Sequence, residues 1–178
     1  MADAIIERER EAFAGTVLRE GLIGGLLAGA VFALAEMLVS AAMGGSIFGP
    51  WAMFASILLG SSALSAEFTL GIFIVGFVVH FVLSALFGLI WGATAKSVSR
   101  GIRDSWGAHA VAAMIYGLVI WLVNFQVIAR VVYPWFLQTN ALAQILLHAL
   151  AFGLPLGLYL TARLRPIEGA AGVRRTVV

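Results

Sequence analysis

The sequence predicts an all-α membrane protein with four transmembrane helices, arranged as a duplicated two-helix unit, plus a short re-entrant or interfacial helix after the first span. Three observations predict this fold. Of the 178 residues, 62% are hydrophobic and only 11% are charged, whereas soluble domains average about 25% charged residues. The mean hydropathy is +1.02. The charges lie mostly between four apolar segments, and features of the first half recur in the second.

The first span is predicted over residues 21–43, after a charged start in which acids and arginines alternate. An α-helix rises 1.5 Å per residue, so crossing a bilayer core of about 30 Å takes roughly 20 apolar residues. The Gly-Pro pair at residues 49–50 ends this helical pattern. The apolar stretch that follows is too short to span, which predicts the re-entrant or interfacial helix.

Three further spans are predicted over residues 68–95, 108–129 and 141–162. Basic residues collect at the N-terminus, at the C-terminus and in the loop that contains Lys96, Arg100 and Arg103. The other two loops hold only Arg130, at the edge of a span. Because cytoplasmic loops of membrane proteins are enriched in basic residues, we expect a multi-pass protein of the bacterial inner membrane with both termini in the cytoplasm.

The duplication relates residues 20–98, approximately, to residues 106–165 within a single domain of residues 1–178. Four features recur in the same order: a glycine and a polar residue seven positions later, a Pro-Trp pair, a histidine within a helix, and an FGLxxG run. In the first half these features are Gly29 with Glu36, residues 50–51, His80 and residues 87–92. In the second half they are Gly117 with Asn124, residues 134–135, His148 and residues 152–157. Since each half holds two spans, both halves have the same orientation, which predicts a pseudo-two-fold axis along the membrane normal.

With these features the chain resembles an uncharacterised family of small bacterial four-helix membrane proteins that contain a tandem two-helix repeat. The resemblance covers residues 20–162, approximately. It implies the same four-helix fold, and it implies no particular activity because none is assigned to that family.

Polar side chains inside the predicted spans are the candidates for chemistry: Glu36, His80, Asn124, Gln126 and His148. A carboxylate at the bilayer centre costs about 2.5 to 3.5 kcal/mol, so Glu36 should face the protein interior and bond to a histidine. Such a pair would relay protons, hold a metal, or simply fix the register of two helices. His109 lies near a predicted span end, and we expect it at the membrane interface.

Two cofactors are compatible with these residues. His80 and His148 lie on corresponding helices, as in bundles that hold haem b between two histidines. Glu36, His80 and His148 also offer the nitrogen and oxygen ligands that zinc, copper or iron prefer. The absence of cysteine excludes thiolate sites, and the motifs of hydrolases and phosphate-binding enzymes are missing, so an enzyme is not expected.

Glycines at four-residue spacing form three stripes that would let helices approach closely in lipid. The stripes are Gly21, Gly25 and Gly29, then Gly88 and Gly92, then Gly153 and Gly157. We expect at least one stripe to face outwards, towards another membrane subunit or a second copy of the chain.

The expected function is therefore that of an accessory or assembly subunit of a larger respiratory or redox complex in the membrane. A small oligomeric transporter or channel is the first alternative, and a haem- or metal-binding protein is the second. The expected surroundings are lipid and other membrane subunits. Nucleic acid is not expected as a partner, because no basic run with interleaved aromatic residues lies outside the spans.

Overall fold

A computed structural model describes residues 2–95 and 99–176 of the chain, so the predicted loop residue Lys96 lies outside the described residues. Within these two ranges the chain is mostly helical and contains no strand. The prediction of an all-helical protein with four long apolar helices is confirmed.

The described residues form the helices α1 (Ala2–Ala42), α2 (Gly49–Leu59), α3 (Leu70–Ala95), α4 (Arg100–Arg103), α5 (Trp106–Trp121), α6 (Ala129–Val131), α7 (Ala141–Leu146) and α8 (Leu154–Thr176). Two π-helical segments complete the second half: the first π segment, Leu122–Ile128, joins α5 to α6, and the second π segment, Leu147–Gly153, joins α7 to α8. Short 3-10 helices cover Ser61–Leu64 and Pro134–Gln138.

Four stretches of the described chain are long and apolar enough to cross a membrane: Ala14–Ala42, Leu70–Thr94, Trp106–Val131 and Ala141–Arg165. Each overlaps one of the four predicted spans. The first helix begins at Ala2, so the charged N-terminal residues continue the helix of the first span. The protein is therefore a multi-pass helical membrane bundle.

The first span lies at the centre of the bundle. One side of α1 packs against α3, and another side packs against the second π segment and α8. The helix α5 packs against the same π segment and α8, while α2 folds back along α3. We call the end of the bundle that contains α2 the α2 end, and the opposite end the α4 end.

Glycines allow these helices to touch through their backbones. A Cβ atom added to Gly25 would overlap the carbonyl oxygen of Ser84 and lie 2.7 Å from the Cα of Gly88. A Cβ atom on Gly153 would overlap the carbonyl oxygen of Ala113 in α5. The backbone of a neighbouring helix also lies against Gly21, Gly88, Gly92 and Gly157, whereas a Cβ atom on Gly29 would overlap the side chain of Ser84. The expectation that one stripe faces outwards is therefore wrong, because all three lie at contacts within the chain.

Candidate functional site

A cavity of about 640 Å³ lies between the spans towards the α2 end of the bundle. Most of the side chains that line it are aromatic or aliphatic. Seven of its polar lining residues lie in the spans, and five of these carry a carboxyl, imidazole or amide group: Glu36, His80, Asn124, Gln144 and His148. The structure therefore brings four of the five predicted polar residues to the wall of one cavity and adds Gln144 to them.

Two tertiary contacts join elements that line the cavity. Towards the α4 end, the hydroxyl group of Tyr116 donates a hydrogen bond to the carbonyl oxygen of Phe87 over 2.8 Å and so joins α5 to α3. At the α2 end, the indole nitrogen of Trp135 donates to the hydroxyl oxygen of Ser56, also over 2.8 Å. This second bond ties the 3-10 helix Pro134–Gln138 to α2 at the α2 end of the bundle.

Both spans of the second half contain a π segment where they border the cavity. In the first π segment the N–H of Ala129 donates to the carbonyl oxygen of Asn124, five residues earlier. The second π segment contains His148, and Pro155 follows it in α8. A proline ring clashes with the carbonyl four residues before it in a regular α-helix, which favours a wider turn there. Single π-helical turns inside α-helices occur frequently at functional sites.

Glu36 takes part in a hydrogen bond between the first and fourth spans. The side-chain nitrogen of Gln144 donates to Oε1 of Glu36 over 2.8 Å. The expected partner was a histidine, and this expectation is wrong: Gln144 lies one helical turn before His148. Residues four positions apart share a helix face, so the sequence spacing of Gln144 and His148 could have indicated that Gln144 faces the same side as His148.

The two histidines each use one ring nitrogen to bond a carbonyl oxygen. Nε2 of His80 lies 2.9 Å from the carbonyl oxygen of Gly29, and Nδ1 of His148 lies 2.8 Å from that of Gln144. A carbonyl oxygen only accepts, so these nitrogens carry the hydrogen. In the neutral imidazole the other nitrogen is an acceptor. The acceptors are therefore Nδ1 of His80 and Nε2 of His148.

The residues of the cavity do not fit the cofactors that the sequence permitted. Among the described residues, no group of three or more His, Cys, Asp or Glu side chains lies close enough to hold a metal ion, so Glu36, His80 and His148 form no such site. A haem between the histidines would need a slot for its macrocycle. Instead the ring of Phe32 contacts both imidazoles, with centroid distances of 5.8 Å to His80 and 4.9 Å to His148.

A second polar cluster, which the sequence did not predict, lies at the α4 end. Glu20 is only 2% exposed and accepts hydrogen bonds from the Tyr159 hydroxyl at 2.7 Å and from Nε of Arg163 at 3.0 Å. Its other carboxylate oxygen accepts from Arg19 at 2.8 Å. Tyr159 and Arg163 are four residues apart on one helix face, and this spacing was the available signal.

Two other predicted polar residues lie away from the cavity. His109 is fully buried, and its Nδ1 lies 2.9 Å from the hydroxyl oxygen of Thr161. It lies three residues after the start of the third apolar stretch, and its depth at the membrane interface stays a prediction. The side chain of Gln126 accepts a hydrogen bond from the exposed guanidinium group of Arg130 at 2.7 Å.

The candidate site is thus a membrane-embedded cavity with aromatic walls. Polar side chains from all four spans line it. Compared with known proteins, the chain matches no protein-family model, no curated protein and no solved structure.

Proposed function

We propose that the protein binds a small, largely apolar molecule in this cavity and acts as a small membrane transporter or carrier. The observation that carries the proposal is the convergence of five intramembrane polar side chains on one apolar cavity of about 640 Å³. Ligand sites in proteins are concave, have volumes of about 300 to 1,000 Å³, and combine apolar walls with a few polar groups. Ionisable residues inside membranes mark substrate and ion pathways.

This proposal is preferred over a role as an accessory or assembly subunit of a respiratory or redox complex. That role depended on an outward glycine stripe, and the stripes pack within the chain. The side chains that α3 exposes, such as Leu70 and Val82, are apolar and suit lipid acyl chains as well as another subunit. They therefore do not favour one partner over the other.

Filling part of the cavity should weaken binding. Ala52 of α2 lines the cavity, whereas Leu58 of the same helix is 70% exposed. We expect a neutral alkyl alcohol that carries a diazirine to label cavity residues of the wild type on illumination, as mapped by mass spectrometry. In Ala52→Trp this labelling should fall about fivefold or more, because the indole fills part of the space.

The matched control is Leu58→Trp, which adds an indole to the same helix outside the cavity. It should leave the cavity labelling unchanged. Equal labelling of the cavity in both variants, with both proteins folded, would contradict the proposal.

The proposal includes the duplication of a two-helix unit. Two corresponding contacts support it: a Cβ atom on Gly29 would lie 3.5 Å from Nε2 of His80, and a Cβ atom on Gly117 would overlap the carbonyl oxygen of His148. A polar residue of the cavity wall follows each glycine seven residues later: Glu36 follows Gly29, and Asn124 follows Gly117. In each half, a glycine of the first span therefore lies next to a histidine of the second span, through the imidazole ring of His80 in one half and through the backbone of His148 in the other.

We also propose that α2 is re-entrant. The ring of Phe54 stacks on His80 with centroids 4.4 Å apart. His80 lies ten residues after the start of α3, which is about 15 Å along the helix. A helix that contacts α3 at this depth enters the membrane rather than lying on its surface, and its 11 residues are too few to cross it.

The proposed setting is the bacterial inner membrane, with both termini and α4 in the cytoplasm. The chain has no cysteine, so single cysteines can report its topology. In intact cells, a membrane-impermeant maleimide should label Ser62→Cys and Gln138→Cys, which are exposed beyond the α2 end. It should label Gly101→Cys only after the cells are permeabilised. Labelling of Gly101→Cys in intact cells would contradict this orientation.

A further inference from the structure

We propose that the molecule bound in the cavity is a hydrophobic organic cation, whose positive charge lies beside Glu36 and the surrounding aromatic rings. This inference rests on the proposed binding function and specifies the chemical class of the ligand. Three properties of the cavity support it: its acidic side chain, the acceptor nitrogens of its two histidines, and its aromatic walls.

Among the described residues, the lining of the cavity contains an acidic side chain, Glu36, and no lysine or arginine side chain. The hydrogen-bond donor to Glu36 is the amide of Gln144, which is neutral. An ionised carboxylate at this depth is unfavourable unless an opposite charge lies nearby. A cationic ligand would supply that charge.

The histidines also favour a ligand that is positive or donates hydrogen bonds. Because His80 and His148 donate to backbone carbonyl groups, each has an acceptor nitrogen left. These nitrogens and the carboxylate of Glu36 would repel the oxygens of an anion. They would attract a cation or an N–H group.

Aromatic rings surround the two histidines of the cavity. Besides Phe32 and Phe54, Phe125 contacts His148 with a centroid distance of 5.7 Å, and Phe136 contacts Phe125 at 6.0 Å. The faces of such rings attract cations, by about 0.5 to 2 kcal/mol for each pair. The same rings require an apolar body around the charge. A metal ion would instead need several close ligands, which the described residues do not provide.

Two ions of similar size and opposite charge test the inference: tetraphenylphosphonium and tetraphenylborate. Binding is measured by equilibrium dialysis against the full chain in nanodiscs of zwitterionic lipid, with empty discs as the blank. We expect saturable binding of the cation and no saturable binding of the anion. Glu36→Gln should lower the affinity for the cation about tenfold or more, as expected when one ion contact in a partly dry site is lost.

The controls separate charge from structure. Glu36→Gln keeps an oxygen that accepts from Gln144, and Glu36→Asp keeps the charge and should retain the preference for the cation. Glu67→Gln removes a negative charge from an exposed residue before α3, outside the cavity lining, and should bind the cation as the wild type does. The thermal midpoint of each variant shows whether it is folded.

The possible failures are distinguishable. Equal binding of both ions, an unchanged affinity in Glu36→Gln, or no binding of the cation by a wild type whose cavity is still photolabelled would overturn the inference about charge alone. If the wild type binds neither ion and shows no cavity labelling by the neutral diazirine, both the inference and the proposed function are overturned.

Discussion

Replacing Gly25 with leucine should prevent the monomer from folding. A side chain at this position would overlap the carbonyl oxygen of Ser84 and press on the Cα of Gly88, 2.7 Å away. Overpacking a core costs about 1 to 3 kcal/mol when flexible side chains can move, and here the obstacle is the backbone of α3. We therefore expect a loss of about 3 kcal/mol or more in the free energy of unfolding.

The matched control is Gly15→Leu, on the same helix. No heavy atom lies within 4 Å of a Cβ atom added at Gly15, so the substitution should be neutral or slightly stabilising. Thermal midpoints and size-exclusion profiles in mild detergent provide the measurement. A Gly25→Leu protein that stays folded but loses a co-purifying partner would contradict this expectation and would restore the hypothesis of an accessory subunit.

Hydropathy and spacing were sufficient to predict the four apolar helices and the four polar residues that line the cavity. Hydropathy works because a bilayer sets both the length and the composition of a span. The neighbour of each glycine stripe was not predictable, because four-residue spacing identifies a close-contact face and not the helix that fills it. Gly25 meets Gly88, on a helix that lies some sixty residues further along the chain.

The partners of the polar residues were harder to predict for two physical reasons. Hydrogen bonding between spans depends on how far each helix is rotated about its axis and on the depth of each residue in the bundle. A π turn contains about one residue more than the 3.6 residues of an α-helical turn, so it changes which side chains face a neighbouring helix. Glu36 bonds Gln144, which precedes the second π segment, whereas His148 lies within it. Glu20 was missed because it precedes the predicted first span by one residue and was counted with the charged start of the chain, whereas the structure buries it.

Replacing Glu20 with alanine should produce the second largest loss of stability. The carboxylate accepts hydrogen bonds from Arg19, Tyr159 and Arg163, and it thereby ties the first span to the fourth at the α4 end. The two arginines are 66% and 52% exposed, so their ion pairs contribute little. The bond from Tyr159 and the burial of the Glu20 side chain, which is 2% exposed, contribute more.

We expect Glu20→Ala to lower the free energy of unfolding by about 2 kcal/mol, since it removes the acceptor for Tyr159 and leaves a void at a buried site. Tyr159→Phe should lower it by about 1 kcal/mol, and the double variant should lose less than the sum, because both changes remove the same hydrogen bond. Glu7→Ala, at an exposed position of α1, is the control and should change stability by less than about 0.5 kcal/mol. Additive losses from Glu20→Ala and Tyr159→Phe, measured by thermal or denaturant unfolding in mild detergent, would show that this hydrogen bond does not hold the first and fourth spans together.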